Sequence, residues 1–321
     1  MRAWLLPENI EDVLPAKAWR MEEIRRAMLD LFRLRGYELV IPPLIEFVDS
    51  LLTGTGSDLD LKTFKLVDQH SGRLMGVRAD ITPQVARIDA HLLGNNPVNR
   101  LCYVGSVLHA KPDGVYHSRE PIQLGAELFG MSGTEADVEI LRLMLAALNA
   151  IGLNQVQLDI GHVGIYRALA TEAELTGDAE QSMFEALQSK AGDQVEILAK
   201  GLRPHVRDAL MALTDLYGDA GILAEASRCL PPLPDIGLAL DTLETLAKEL
   251  AGEGVDMAFD LAELRGYGYH SGVVFAAYAG GRSRAVALGG RYDEIGKVFG
   301  RARSATGFSL ELRELIELIP A

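Results

Sequence analysis

The sequence predicts an α+β fold, an antiparallel sheet flanked by helices and interrupted by a helical excursion. Three observations predict it. Strand-like apolar runs recur at residues 100–107, 122–129, 156–160 and 272–288, several with the period-two alternation of a half-buried strand. They are joined by polar or glycine-containing turns, without the regular strand-helix alternation of a doubly wound sheet. Between Tyr166 and Leu250 the composition turns to Ala, Leu and Glu at helical spacing, with breaks at Gly192, Gly201 and Pro231.

Each element has its own signal. Residues 17–35 place Ile24, Met28, Leu31 and Leu34 on one face, with Glu22, Glu23, Arg25 and Arg26 on the other and Gly36 as the stop, an amphipathic helix with a glycine end. Residues 37–41 then extend as far as Pro42 and Pro43, which cannot continue a ladder. Residues 63–77 read as a hairpin around Asp-Gln-His-Ser-Gly. Thr82 reads as an N-cap with Pro83 at the first helical position, which puts Asp80 at a strand-to-helix junction. A long polar loop, 108–121, joins the strands at 100–107 and 122–129, and such loops tend to carry sites. A periodic helix is expected over 137–148, strands over 156–160 and 257–261, a hairpin over 272–288 and a closing helix over 309–318. The chain is expected to be one domain over 1–321, with a mostly helical insertion over 161–255.

Composition excludes several function classes. At 321 residues and 48% hydrophobic content, the chain can bury a large core. Its 45 Asp and Glu against 31 Lys and Arg give a net charge of −14, and no basic run offers nucleic acid a footing. Two cysteines, Cys102 and Cys229, are too few and too separated for a disulfide framework, so a cytoplasmic location is expected. Neither an export signal nor a membrane span is expected. The histidines never fall in a metal-ligand pair, Gly-Gly-Arg-Tyr-Asp lacks the ending of a phosphate-binding loop, and no nucleophile elbow occurs. No metal and no cofactor are expected.

What remains is a set of stretches whose order is specific. Arg265-Gly-Tyr-Gly-Tyr-His270, followed by Val273-Val-Phe, resembles the histidine-binding signature of histidyl-tRNA synthetases, Arg-Gly-Leu-Asp-Tyr-Tyr before a Val-Phe strand. Leu288-Gly-Gly-Arg-Tyr-Asp293 is similar to the glycine-rich strand that follows it. Gly36-Tyr-Glu-Leu-Val-Ile-Pro-Pro43 resembles motif 1 of class II synthetases, the dimer-forming helix and strand. Arg78-Ala-Asp-Ile-Thr82 and Gln123-Leu-Gly-Ala-Glu127 are similar to that family's Arg-Pro-Glu-Gly-Thr and Gln-x-Gly-x-Glu. The resemblance covers the chain from about residue 15 onward and implies a class II synthetase-like core. It also implies a histidine pocket of Asp80, Thr82, Gln123, Glu127, Arg265, Tyr269 and His270. Chemically, the two carboxylates suit an ammonium, Gln123 offers an amide, Tyr269 a phenol and Arg265 a cation for a carboxylate. A purely structural role, with Glu127 and Arg265 as a buried pair and Tyr269 in the core, is the competing reading of these residues.

The departures carry as much information. Class II synthetases clamp ATP with two arginines, whose planar forks bind phosphate oxygens. Where the motif 2 loop should read Arg-x-Glu, this chain has His109-Ala-Lys111. Where motif 3 should read Gly-Leu-Glu-Arg, it has Glu311-Leu-Arg-Glu314. Glu314 sets a carboxylate where phosphate would lie, and Arg313 is rotated about 100° around the helix from that position. The sequence ends soon after motif 3, so no anticodon-binding domain is expected and, with the charge, no tRNA partner. Taken together, these features resemble the regulatory-subunit family of ATP phosphoribosyltransferase. That family resemblance implies no catalysis by the chain itself, assembly with the short-form catalytic subunit, free L-histidine as feedback effector, and a homodimer within a hetero-oligomer. Two alternatives stand beside it. A truncated histidine-activating enzyme would need ATP binding, and a vestigial dimeric scaffold would show degraded pocket residues.

Overall fold

The structure is a computed structural model, and it describes residues 5–53, 57–112, 114, 117–281 and 284–319. In chain order it builds α1 (Pro15–Leu34), β1 (Glu38–Leu39), β2 (Ile45–Phe47), α2 (Val48–Leu51), α3 (Ser57–Lys62), β3 (Phe64–Val67), β4 (Leu74–Val77), α4 (Thr82–Leu92), β5 (Asn99–Ser106), β6 (Ile122–Phe129) and α5 (Thr134–Ala150). There follow β7 (Val156–His162), α6 (Val163–Glu172), α7 (Asp178–Gln188), α8 (Gly192–Leu198), α9 (Pro204–Ala212), β8 (Tyr217–Gly218), α10 (Gly221–Cys229), α11 (Pro234–Leu250), β9 (Asp256–Asp260), β10 (Val273–Ala279) and β11 (Ala285–Arg291). A 3₁₀ turn at Ile295–Phe299, β12 (Ala305–Glu311) and α12 (Leu312–Leu315) complete it. The chain divides into two units, the first Met1–Ser132, Leu143–Asn154 and Asp293–Ala321, the second Gly133–Arg142 and Gln155–Tyr292.

In the first unit, α1 buries Met21, Ile24, Met28 and Phe32. The stripe differs from the one expected, and Leu34 is 84% exposed, because the buried face follows spacings of three and four from Met21 and reaches Phe32 instead. Gly36 at φ +82° lets the Tyr37 N–H return to the Phe32 carbonyl at 2.9 Å, a glycine-ended helix leading straight into β1. β1 pairs with β5 in parallel, β5 with β6 antiparallel, and β6 with β12 antiparallel. β2, β4 and β3 form a separate antiparallel sheet. Two expectations are corrected here. Thr82 and Pro83 are the first two residues of α4 and Ile81 is its N-cap, with Asp80 accepting the Thr82 N–H at 3.0 Å. Residues 309–311 belong to a strand and the last helix has four residues. Leu310, Leu312 and Leu315 have helix-like spacing, but β12 gains a full antiparallel ladder with β6 from Ala305 to Glu311, and that pairing outweighs local periodicity.

In the second unit β11 pairs with β10, and β10 with β7, both antiparallel. β7 pairs with β9 in parallel, and β8 closes antiparallel on β9. The expected antiparallel sheet is thus mostly antiparallel in this unit, with one parallel pairing between β7 and β9. The cause is the helical stretch itself: α6 to α11 carry the chain from the end of β7 back to the start of β9, and a long crossover of that kind joins parallel strands. Those helices pack inward through Leu169, Met183, Leu210, Leu223, Leu240 and Leu243, all buried. Arg291 at the end of β11 reaches Asp137 in the first turns of α5, with Nε at 3.1 Å and Nη2 at 2.9 Å from Oδ2, and Nη2 also donates to the Gly133 carbonyl at 3.0 Å. Both side chains are buried, so this arginine of the glycine-rich stretch is a structural tie. Among the described residues no helix is long and apolar enough to cross a membrane.

Candidate functional site

The register of the first unit's strands decides which side chains share a face. Glu127 lies opposite Leu101 and Gly307, Gly125 opposite Tyr103 and Ser309, and Gln123 opposite Gly105 and Glu311. Strand alternation puts all nine on one side of the sheet. The glycines make room: a side chain at Gly307 would run into the Glu127 carboxylate, one at Gly125 into the Tyr103 hydroxyl, and one at Gly105 into the Arg78 guanidinium.

Over that face sits the start of α4. The Asp80 carboxylate accepts the Thr82 N–H at 3.0 Å and the Gln123 Nε2 at 2.8 Å, while the Gln123 Oε1 accepts the Ile81 N–H at 2.9 Å. Glu127, 1% exposed, accepts from the Tyr103 hydroxyl at 3.1 Å and the Thr82 hydroxyl at 3.2 Å. Asp80, Thr82, Gln123 and Glu127 are thus one hydrogen-bonded cluster. Tyr103 is its fifth member and was missed from sequence; the available signal was an aromatic residue inside the 100–107 run at the spacing that faces Gly125. Burial, then the charges of Glu127 and Asp80, push the Tyr103 phenol well up from its ordinary value, so it stays a donor. Arg78 is fixed by the Ser106 and Pro42 carbonyls, both at 2.9 Å, and is structural.

The remaining candidates of the first unit are the displaced clamp positions. The His109 ring bonds the Ala79 carbonyl at 3.0 Å, and Lys111 is exposed. Glu314 gives its backbone N–H to Glu311 at 2.8 Å, and Arg313 pairs with Glu120 at 3.2 Å. Glu311, which sequence reasoning left unweighed, stands where the family pattern has glycine. Its carboxylate accepts the N–H groups of Ile122, Arg313 and Glu314 at 2.9, 3.0 and 2.8 Å, capping α12. Burial raises its pKa against the pull of those donors.

The second unit holds Arg265, Tyr269 and His270 on a turn-built loop, residues 264–271, ahead of β10. Gly266 at φ +65° and two successive turns carry the backbone there, without a strand ladder. Arg265 pairs with Glu263 at 3.2 Å, its Nη2 also reaches the Tyr278 hydroxyl at 3.3 Å, and the Asp159 carboxylate of β7 adds to the negative charge around it. Tyr269 stacks on Tyr292 at 5.1 Å and meets His270 edge-on at 5.3 Å. His270 Nδ1 donates to the Arg265 carbonyl at 3.2 Å; burial lowers its pKa to about 4, so the ring is neutral and Nε2 is an acceptor. A Cβ on Gly290 would meet the Val273 carbonyl at 2.6 Å and the His270 Cδ2 at 2.7 Å, which explains the glycine. Among the described residues no group of His, Cys, Asp and Glu is arranged to hold a metal ion.

Comparison with known proteins agrees with this architecture. The family model described as histidyl-tRNA synthetase matches residues 9–315. An ATP phosphoribosyltransferase regulatory subunit of Thiobacillus denitrificans is 67% identical over 316 residues, covering 98% of each chain. One of Ralstonia nicotianae is 58% identical over 320 residues, covering 100% of this chain and 82% of its own. The solved structure of an ATP phosphoribosyltransferase regulatory subunit/histidyl-tRNA synthetase from Bacillus halodurans C superposes with a TM-score of 0.89 at 29% identity, over 99% of this chain and 84% of its own. Sheet register, signature stretches and similarity thus coincide, and the chain belongs to the ATP phosphoribosyltransferase regulatory subunit family, built on the histidyl-tRNA synthetase fold.

Proposed function

We propose that this chain is the non-catalytic regulatory subunit of an ATP phosphoribosyltransferase. It assembles with the short-form catalytic subunit in the cytoplasm, serves the first step of L-histidine biosynthesis, and carries feedback by free L-histidine. The observation that carries this reading is an intact amino-acid cluster beside a displaced phosphate clamp. Asp80 and Glu127 offer carboxylates, held by Gln123, Thr82 and Tyr103, to an ammonium group. Glu311 at the end of neighbouring β12 and Glu314 in α12 stand where a triphosphate needs glycine and arginine. Like charges at close range in a partly desolvated place cost on the order of several kcal/mol, so ATP is repelled where the amino acid is welcome. Arg265, Tyr269 and His270 are assigned to histidine recognition on the family pattern, and the neutral His270 supplies an Nε2 acceptor suited to an imidazole N–H.

Regulation requires only that histidine bind two states of the assembly unequally, with coupling of about 1–3 kcal/mol. A homodimer within the hetero-oligomer follows from the motif 1 resemblance and is supported by the exposed Leu39 and Ile41 around β1, a terminal strand. The net charge of −14 argues against a tRNA partner. The test is reconstitution with a short-form catalytic subunit. Phosphoribosyl transfer should depend on adding this chain and should be inhibited by histidine; a complex that forms but ignores histidine would reduce the chain to a scaffold.

A further inference from the structure

The loop 264–271 has two faces. Tyr269 and His270 turn toward Tyr292 and Gly290. Tyr267 turns toward the helices: its ring stacks on Phe184 of α7 at 5.4 Å, meets Tyr166 of α6 edge-on at 5.1 Å, and its hydroxyl donates to Glu180 of α7 at 2.7 Å. The Glu180 carbonyl in turn accepts the Tyr166 hydroxyl at 2.8 Å. Arg167 of α6 lies over the Tyr267 ring at 5.2 Å and donates to the His270 carbonyl at 3.0 Å. Burial and Glu180 push the Tyr267 phenol up to about 12, so it stays protonated as the donor.

A segment without a ladder is placed by what its side chains dock on, and such segments open locally at low cost. Packing alone asks only for an apolar residue at position 267, and the family pattern Arg-Gly-Leu-Asp-Tyr-Tyr has leucine there. The tyrosine adds a directed bond to a carboxylate, a stronger kind than a neutral pair. The same loop therefore carries candidate ligand groups on one face and a specific tether to α6 and α7 on the other.

We propose that Tyr267 is a positioning residue that couples the ligand-bearing loop to helices α6 and α7, so that histidine at the loop is felt as increased order in α7. This rests on the histidine reading of the proposed function. The test is hydrogen exchange of the full chain with and without saturating L-histidine, alongside calorimetry, in the wild type, Tyr267→Phe and Glu180→Gln. Histidine should slow exchange of the α7 amides about tenfold, the worth of one hydrogen bond to a charged group. In Tyr267→Phe, histidine should still bind while the α7 response falls toward zero; Glu180→Gln weakens the same bond from the helix side and serves if Tyr267→Phe folds poorly. Unchanged α7 protection in a variant that binds histidine overturns the proposal, as does a wild type that binds histidine with no α7 response. Complete loss of histidine binding in a folded Tyr267→Phe also overturns it, making Tyr267 a ligand residue. Failure of the wild type to bind histidine appears in the calorimetry and removes the underlying reading itself.

Discussion

Replacing Glu127 by Gln isolates charge from shape. The carboxylate is 1% exposed and accepts the hydroxyls of Tyr103 and Thr82 at 3.1 and 3.2 Å through Oε1. An amide keeps an oxygen at that place, so both hydroxyls retain an acceptor and the fold should change by less than about 1 kcal/mol. What disappears is the negative charge opposite a bound ammonium. Truncating one side of a desolvated charged pair costs about 2–5 kcal/mol, which converts to a histidine affinity roughly thirty-fold to several thousand-fold weaker. Calorimetric titration with L-histidine reads the affinity, and a thermal melt on the same sample reads the fold. Affinity within about threefold of wild type in an intact protein, less than 1 kcal/mol, would refute the assignment of Glu127 to the ligand.

Gly307→Ala should weaken histidine binding and lower stability together, since its methyl collides with the Glu127 carboxylate; overpacking of this kind costs about 1–3 kcal/mol, read by the same titration and melt. Arg291→Met should destabilise the protein by about 3–5 kcal/mol by leaving Asp137 buried without its guanidinium, whereas Arg291→Met with Asp137→Leu should recover most of the loss; urea unfolding of both variants measures it. Burial lowers the His162 and His270 rings to about 4 from an ordinary 6.5. Because the folded pKa is depressed, the stability is fully present above pH 6.5 and is lost as pH falls toward 4, by on the order of 3 kcal/mol per ring. Urea midpoints between pH 7.5 and 4.5 should show that slope, and His270→Asn should flatten it.

The strands around the candidate site were largely legible, because 100–107 and 122–129 carry apolar runs bounded by polar turns, and β5 and β6 lie within a residue of them. The family pattern named Asp80, Thr82, Gln123 and Glu127; the register of β6 with its neighbours explains why Gln123 and Glu127 share a face, and Asp80 and Thr82 bond to them from the start of α4. Tyr103 escaped because one aromatic in an apolar strand looks like core until the glycine opposite it is known. Glu311 escaped because the leucines after it have helical spacing, while its strand identity depends on β6, far away in sequence. The parallel β7–β9 pairing escaped for a related reason: nothing local to either strand announces direction, and only the helical crossover between them fixes it. Arg291 sits in a stretch that resembles the family's glycine-rich strand, yet its partner Asp137 lies in a different segment, so its structural role needed three dimensions.

The central claim is that the site receives histidine and refuses ATP. Histidine-dependent exchange of pyrophosphate with ATP, measured with magnesium present alongside a direct histidine titration, tests it most directly. Saturable histidine binding without pyrophosphate exchange is the expected result. Exchange above background would contradict the account and make the chain an amino-acid-activating enzyme.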